Sequence, residues 1–296
     1  MHTTQPLIFA ASTDTGNIRE QNEDRLLIPF DYSHLLNQRG YLFVVADGVG
    51  GHVGGERASQ CCIDVLHKSV YGDAPIALEP AIQQANTAVY QMAQREAPNK
   101  GMGTTVVAAL FATRCVLLAH VGDSRAYLVR NQYIRQVTND HTLLAEKVQA
   151  GIISPEKAAD FHGINPLTRA IGKEPDVVVE LQELDVQPHD CIILCSDGLS
   201  NLVTADEISA VTGSHAPQQA VQHLIELAKV RGAPDNVTVV VVQVQGVPIT
   251  PRKPRTWSSQ TYRSTLSTSR IISIVFVAVV TLAAIGLFVF ILMGKG

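Results

Sequence analysis

Apolar residues in the first 245 positions follow two rhythms, and the contrast between them sets out the elements of the chain. Nearly continuous runs such as Leu42-Phe43-Val44-Val45-Ala46, Cys191-Ile192-Ile193-Leu194-Cys195 and Val237-Thr238-Val239-Val240-Val241-Val242 predict strands buried on both faces. Shorter runs at 25–28, 104–111, 116–121, 126–129, 176–184 and 190–195 extend the set, with Arg130-Asn131-Gln132 as a turn. Helical spacing governs 54–70 and 76–95, where Ile76, Leu78, Ile82, Ala85, Val89 and Met92 share one face. A further helix is expected over 216–230 and a short one near 143–150. Residues 140–172 are mixed and polar, and a long insertion of that kind inside a domain is usually functional or mobile. Strands, two helices, strands, helices and a last strand argue for layered α+β packing, not a doubly wound parallel sheet.

The pattern changes abruptly after residue 246. Residues 247–270 are rich in Pro, Ser and Thr and read as a flexible linker; 271–293 then run for 23 residues without an ionisable side chain. As a helix that run would rise about 34 Å, enough to span a hydrocarbon core of about 30 Å. Residues 294–296 form a short tail. Arg252, Lys253, Arg255, Arg263 and Arg270 precede the apolar run and only Lys295 follows it. By the positive-inside rule this predicts a single-pass membrane protein whose N-terminal body, residues 1–246, is cytoplasmic. The linker's basic residues could rest on anionic headgroups or simply be solvated. Met1 begins no basic-then-apolar leader.

Charge sharpens the division. Residues 1–246 hold all 27 acids against 17 Lys and Arg, a net −10, while the remaining 50 residues carry +6. An acidic body argues against nucleic-acid binding, which needs a basic footprint. Five cysteines, with a vicinal Cys61-Cys62 pair and no C-x-x-C, form no secreted disulfide framework and fit a reducing compartment. No repeat of fixed period is present.

The acids are placed with purpose. Asp47 and Asp197 follow the ends of apolar strands, Asp24 and Asp235 precede the beginnings of others, and Asp123 stands between 116–121 and 126–129, which read as a tight hairpin. In antiparallel pairing one strand's end neighbours the next one's beginning, so all five can share one edge. Singly, each is an ordinary turn residue. Jointly, with no accompanying Cys or paired His, they form an oxygen-only donor set that selects Mg²⁺ or Mn²⁺ over Zn²⁺. Gly48, lacking a Cβ, would let its carbonyl approach a cation.

Read in order, Arg19-Glu20-Gln21-Asn22-Glu23-Asp24, Asp47-Gly48-Val49-Gly50-Gly51-His52, Gly103-Thr104-Thr105, Gly122-Asp123-Ser124-Arg125, Leu167-Thr168-Arg169-Ala170-Ile171-Gly172, Ser196-Asp197-Gly198-Leu199 and Asp235-Asn236-Val237-Thr238 make the chain resemble the metal-dependent Ser/Thr phosphatases of the protein phosphatase 2C (PPM) type, in their bacterial form, over nearly all of residues 8–245. The resemblance implies a four-layer αββα sandwich, with a central antiparallel β-sandwich between helices. It implies that Asp47 bridges two metals with the Gly48 carbonyl on one, that Asp197 and Asp235 complete the other, and that Glu23 and Asp24 act near the second. By the same likeness Asp123 serves a third cation and Arg19 binds phosphate. The implied reaction is attack of a metal-bridging water or hydroxide on the phosphorus of phosphoserine or phosphothreonine in cytoplasmic proteins, opposing Ser/Thr kinases. The segment 143–171 corresponds to the family's mobile flap. Val49 stands where some members carry a catalytic His; His52 could be the proton donor or a loop residue, and a metal-bound water is the other candidate. Against this enzyme stand an inactive, membrane-anchored phosphoprotein-binding module, which requires a damaged metal cage, and a two-metal nuclease, which the −10 body disfavours.

Overall fold

A computed structural model describes residues 7–29, 39–50, 54–95, 101–112, 115–159, 161, 163 and 165–245. Twelve strands are described: β1 Leu7–Asp14, β2 Arg25–Leu27, β3 Tyr41–Ala46, β4 Gly48–Val49, β5 Gly103–Thr104, β6 Val106–Ala112, β7 Cys115–Val121, β8 Arg125–Arg130, β9 Tyr133–Gln136, β10 Glu180–Asp185, β11 Cys191–Cys195 and β12 Val237–Val244. The helices are α1 Gly54–Tyr71, α2 Leu78–Arg95, α3 Leu143–Gln149, α4 Pro155–Ala159, α5 Asp197–Ser200, α6 Ala205–Ser214 and α7 Pro217–Val230.

Two five-stranded antiparallel sheets, ordered β1-β12-β11-β8-β9 and β10-β7-β6-β3-β2, stack face to face. Strand periodicity explains the unbroken apolar runs, because every strand near the centre has two faces to bury. Phe43 and Val45 of β3 point between the sheets, where Phe43 meets the rings of Phe9 and Phe111 edge-on at 5.0 and 5.5 Å. Leu42, Val44 and Ala46, the alternate set, pack on α1 and α2 through Cys62, Leu66, Ile82 and Val89. On the other sheet Ile192 and Leu194 face inward, while Ile193 and Cys195 face Leu224 and Ala228 of α7. The result is the expected helix–sheet–sheet–helix layering.

Several local expectations change. β7 and β8 do not pair: β7 belongs to one sheet and β8 to the other, so Gly122-Asp123-Ser124 is a corner where the chain crosses the sandwich, not a hairpin. Gly122 makes that corner possible with φ +110°, a conformation a side chain resists. The true two-residue hairpin lies between β8 and β9, with Asn131 and Gln132 at φ 51° and 68°. The strand expected over 176–184 pairs with β7 only from Glu180. α6 was not foreseen; a capping box of Thr204 with Glu207 starts it. The linker 247–270, the apolar run 271–293 and the tail 294–296 lie outside the described residues. Among the described residues no helix is long and apolar enough to cross a membrane.

Candidate metal and phosphate site

Strand register brings the acids together. Arg25 of β2 pairs with Ala46 of β3, so Asp24 and Asp47, one step beyond each, leave the same edge of that sheet. In the second sheet Cys195 of β11 pairs with both Val239 of β12 and Arg125 of β8. Asp197 therefore emerges beside Asp235, which precedes β12, and beside Asp123 at the sheet-crossing corner. Arg19, Glu23, Asp47, Gly48, Asp123, Asp197 and Asp235 all line one cleft of about 880 Å³, and Asp24 is buried with 1% of its surface exposed. The structure thus gathers all eight residues singled out from the sequence. His52 lies outside the described residues.

A frame of hydroxyls and one amide holds these groups in place. The Asp47 N–H donates to Thr105 Oγ1 at 3.0 Å, and the Asp47 carbonyl accepts from the Thr105 N–H and from Thr104 Oγ1, both at 2.8 Å. Thr105 Oγ1 also meets Ser124 Oγ at 2.6 Å, joining the Asp47 strand to the Asp123 corner. Ser196 Oγ donates to Asp24 Oδ2 at 2.7 Å and accepts the Thr238 N–H at 3.0 Å, which ties the two sheets across the site. Asn236 accepts the Glu23 N–H at 2.8 Å and donates to the carbonyls of Thr15 and Gln21, fixing the loop that carries Arg19. Gly48 has a structural reason beyond its carbonyl. A Cβ there would strike the Gly55 backbone at the start of α1 and lie 2.7 Å from the Glu23 carbonyl oxygen.

The electrostatics are those of unrelieved negative charge. Burial first, and then Asp197 and Asp235, push the Asp24 carboxyl up to about 6, against the lowering influence of the nearby Thr238 and Ser196 hydroxyls. Asp123 rises to about 7 through burial and the nearby Asp197 and Asp140. Asp47 is held well above the usual carboxylate range by burial and by Asp24, Asp197, Asp123 and Asp235. Burial and Asp235 also raise Asp197, partly offset by hydrogen bonding with Asp47 and Asn201. Arg19 Nη2 donates to Asp235 Oδ2 at 2.7 Å, and that bond, opposed by burial, raises the guanidinium pKa.

This donor set suits a hard divalent cation. Among the described residues Asp24 Oδ1 is buried without a hydrogen-bond partner, an arrangement that is costly unless something positive takes it up. Carboxylates that burial, and then mutual repulsion, cause to hold protons near pH 6–7 gain from exchanging those protons for a metal.

A profile of the protein phosphatase 2C family matches residues 20–230. The chain belongs to that family. It is 36% identical over 240 residues to the serine/threonine phosphatase stp of Listeria monocytogenes, covering 78% of this chain and 93% of that protein. The crystal structure of the Mycobacterium tuberculosis serine/threonine phosphatase PstP superposes with a TM-score of 0.72 at 36% identity, over 81% of this chain and 99% of that one. A structure of the PstP catalytic domain in complex with two manganese ions gives a TM-score of 0.68 at 36% identity, over 81% and 98%. The protein is a metal-dependent serine/threonine phosphatase with the fold of that family.

The phosphatase cleft also contains residues that sequence reasoning gave no separate role. Arg169 and Lys173 line it beyond the acids, together with Leu167, Asp176 and Val178. Arg169 belongs to the sequence motif 167–172, whereas Lys173 carries no signal except its position one residue after that motif. The Arg19–Asp235 pair has no sequence signal either, because the family likeness gives one to phosphate and the other to metal.

Proposed function

We propose that the eight residues divide the work of phosphomonoester hydrolysis as the family likeness implies: Asp47 shared between two cations with the Gly48 carbonyl on one, Asp197 and Asp235 completing one site, Glu23 and Asp24 serving the other, and Asp123 a third. The observation that carries this reading is the convergence of six acids from both sheets at one cleft, with Arg19 beside them. Mn²⁺ or Mg²⁺ bound there supplies Lewis acidity and lowers the pKa of water. The chain's own residues do the rest. Arg19, half exposed at the cleft mouth, offers a planar pair of donors to phosphate oxygens. Thr105, Ser124 and Ser196 keep the carboxylates from separating, and Asn236 keeps the Arg19 loop over them.

The substrates are phosphoserine and phosphothreonine side chains of cytoplasmic proteins, in opposition to Ser/Thr kinases. The body is tethered to the membrane through 247–270 and 271–293; the uncharged 23-residue run and the basic residues before it support this placement. Purified full-length protein should release phosphate from a phosphothreonine peptide only with Mn²⁺ or Mg²⁺. Metal-independent peptide binding without turnover would instead favour a binding module. In cells the full chain should sediment with membranes and resist alkaline carbonate, and a chain ending at residue 246 should not; a carbonate-soluble full chain would remove the tether from the proposal.

A further inference from the structure

Outside the acid cage lies a second ionisable cluster, His120, His141 and Glu180. The two imidazoles stack at 4.6 Å between centroids with an interplanar angle of 20°, and both are nearly fully buried. Glu180 Oε2 lies 3.2 Å from His141 Nε2 and 3.9 Å from His120 Nε2, while Oε1 accepts from Asn139 Nδ2 at 2.7 Å. Two histidines and a carboxylate could suggest a cation site, but the hydrogen bonds argue otherwise. His141 Nδ1 accepts the Gly122 N–H at 3.1 Å, so the proton of a neutral ring sits on Nε2, facing Glu180. A metal-bound histidine ordinarily donates through its other nitrogen; this one accepts there. His120 Nε2 is likewise occupied, bonded to the Asn139 carbonyl at 2.8 Å.

What His141 does hold is the corner that carries Asp123. Its backbone N–H donates to the Gly122 carbonyl at 2.9 Å while its ring accepts the Gly122 N–H, so one residue grips both polar backbone groups of the glycine where the chain changes sheets. The His141 carbonyl in turn accepts the Thr168 N–H at 2.9 Å; Arg169 Nη1 lies 3.3 Å from Nε2, and because that nitrogen carries the proton directed at Glu180 the guanidinium there is a neighbour and not a hydrogen-bond donor to the ring. His141 thereby connects the Asp123 corner to the cleft wall at 167–170. Burial lowers the His141 pKa against the pull of Glu180, which keeps the ring neutral and able to accept.

We propose that His141 is a positioning residue for Asp123, its tautomer fixed by Glu180 and its ring plane by the stack on His120. The cation held through Asp123 then depends on His141, whereas the pair held by Asp47 does not. This rests on reading Asp123 as a metal ligand.

Mn²⁺ titrations of the full-length protein, followed by electron paramagnetic resonance and by KM and kcat on a phosphothreonine peptide, test it. Asp123→Asn should abolish the weakest Mn²⁺ site. His141→Leu should weaken the same site about tenfold, as loss of an outer partner of a ligand does, and leave the tighter sites alone. His141→Asn, whose Oδ1 takes the place of Nδ1 as acceptor for Gly122, should recover most of that loss. Should His141→Leu not fold, Glu180→Leu decides: the side chain is 36% exposed, the change removes the acceptor for the His141 Nε2–H, and the weakest site should again loosen. Weakest-site affinity unchanged in His141→Leu or Glu180→Leu, or all sites weakened equally, overturns the proposal while leaving the Asp123 reading intact. Full wild-type Mn²⁺ stoichiometry in Asp123→Asn overturns both.

Discussion

Two aspartates at opposite ends of the sandwich, Asp24 and Asp190, are equally inaccessible, each with 1% of its surface exposed, yet the fold treats them in opposite ways. Asp190 accepts from Arg130 Nε at 2.9 Å, from Arg130 Nη2 at 2.6 Å and from the Gln187 N–H at 2.7 Å. Asp24 has a serine hydroxyl on Oδ2, nothing among the described residues on Oδ1, and further carboxylates around it. Burying a charge is costly in either place. At Asp190 the protein neutralises the charge itself, so that end needs no ligand. At Asp24 the compensation is withheld, and the deficit marks where an external cation belongs.

The strongest way to break this contrast is to remove a carboxylate from the uncompensated end. Asp47→Asn should lower kcat/KM on a phosphothreonine peptide by on the order of 10³-fold, at the upper end of the cost of losing one electrostatic group in an active site. Folding should survive, because the substitution relieves repulsion among Asp24, Asp123, Asp197 and Asp235. Circular dichroism alongside phosphate release checks both halves. Turnover within a fewfold of wild type would show that Asp47 is not central to the cage.

At the compensated end the same logic predicts a loss of stability without loss of chemistry. Arg130→Ala strips Asp190 of two of its three donors and should destabilise the protein by about 3 kcal/mol, the lower end of the cost of unpairing a buried charge. Urea denaturation measures it. Asp24→Asn, in metal-free protein near neutral pH, should shift stability in the opposite direction.

Acidity sharpens the comparison further. Asp24 and Asp123 carry folded-state pKa values of about 6 and about 7, raised from an ordinary 3.8. A group whose pKa rises on folding contributes stability that is complete below the unfolded value and drains away as pH climbs through the folded one. Metal-free protein should therefore lose melting temperature between about pH 4 and pH 7 relative to Asp24→Asn, in which one of the titrations is gone. Saturating Mn²⁺ should reverse the trend above pH 6, because the cation displaces those protons. Calorimetry in buffers of differing ionisation enthalpy should register proton release on Mn²⁺ binding, and its absence at pH 6 would contradict the raised values.

The central strands were legible because both their faces are buried, leaving runs such as 191–195 no alternative reading. The acid cage was legible for a related reason: register in antiparallel pairs is short-range, so Asp24 next to Arg25 and Asp47 next to Ala46 nearly determines their meeting. What escaped depended on distant partners. Residues 116–129 have the local pattern of a hairpin, but β8 pairs with the distant β11 and with β9, and the corner at Gly122 is packed by Thr105 and held by His141. Residues 176–179 have strand composition but no pairing with β7. Helix α6 buries Ile208, Ser209 and Thr212, so two of its three inward residues are polar and its apolar stripe is faint. Asp197 does follow the strand 191–195, but the four-residue helix α5 that it begins has no cap signal, because the Ser196 hydroxyl bonds Asp24 and not the helix end.

The smallest expected effect is on stability at Arg19, and it sharpens the contrast most finely because Arg19 and Arg130 make bonds of nearly the same length. Arg19 reaches Asp235 at 2.7 Å, and Arg130 reaches Asp190 at 2.6 Å. The carboxylates differ: 41% of the Asp235 side chain is exposed against 2% for Asp190. Water can replace Arg19 at Asp235, so Arg19→Ala should alter unfolding free energy by no more than about 0.5 kcal/mol, the usual worth of an exposed ion pair. Its cost should fall on substrate instead. A charge-assisted bond to a phosphate oxygen is worth about 1.5–3 kcal/mol, so KM for a phosphothreonine peptide should rise by roughly tenfold or more while the denaturation midpoint stays put. A stability loss comparable to that of Arg130→Ala, with KM unchanged, would make Arg19 a structural partner of Asp235 and leave the phosphate without its arginine.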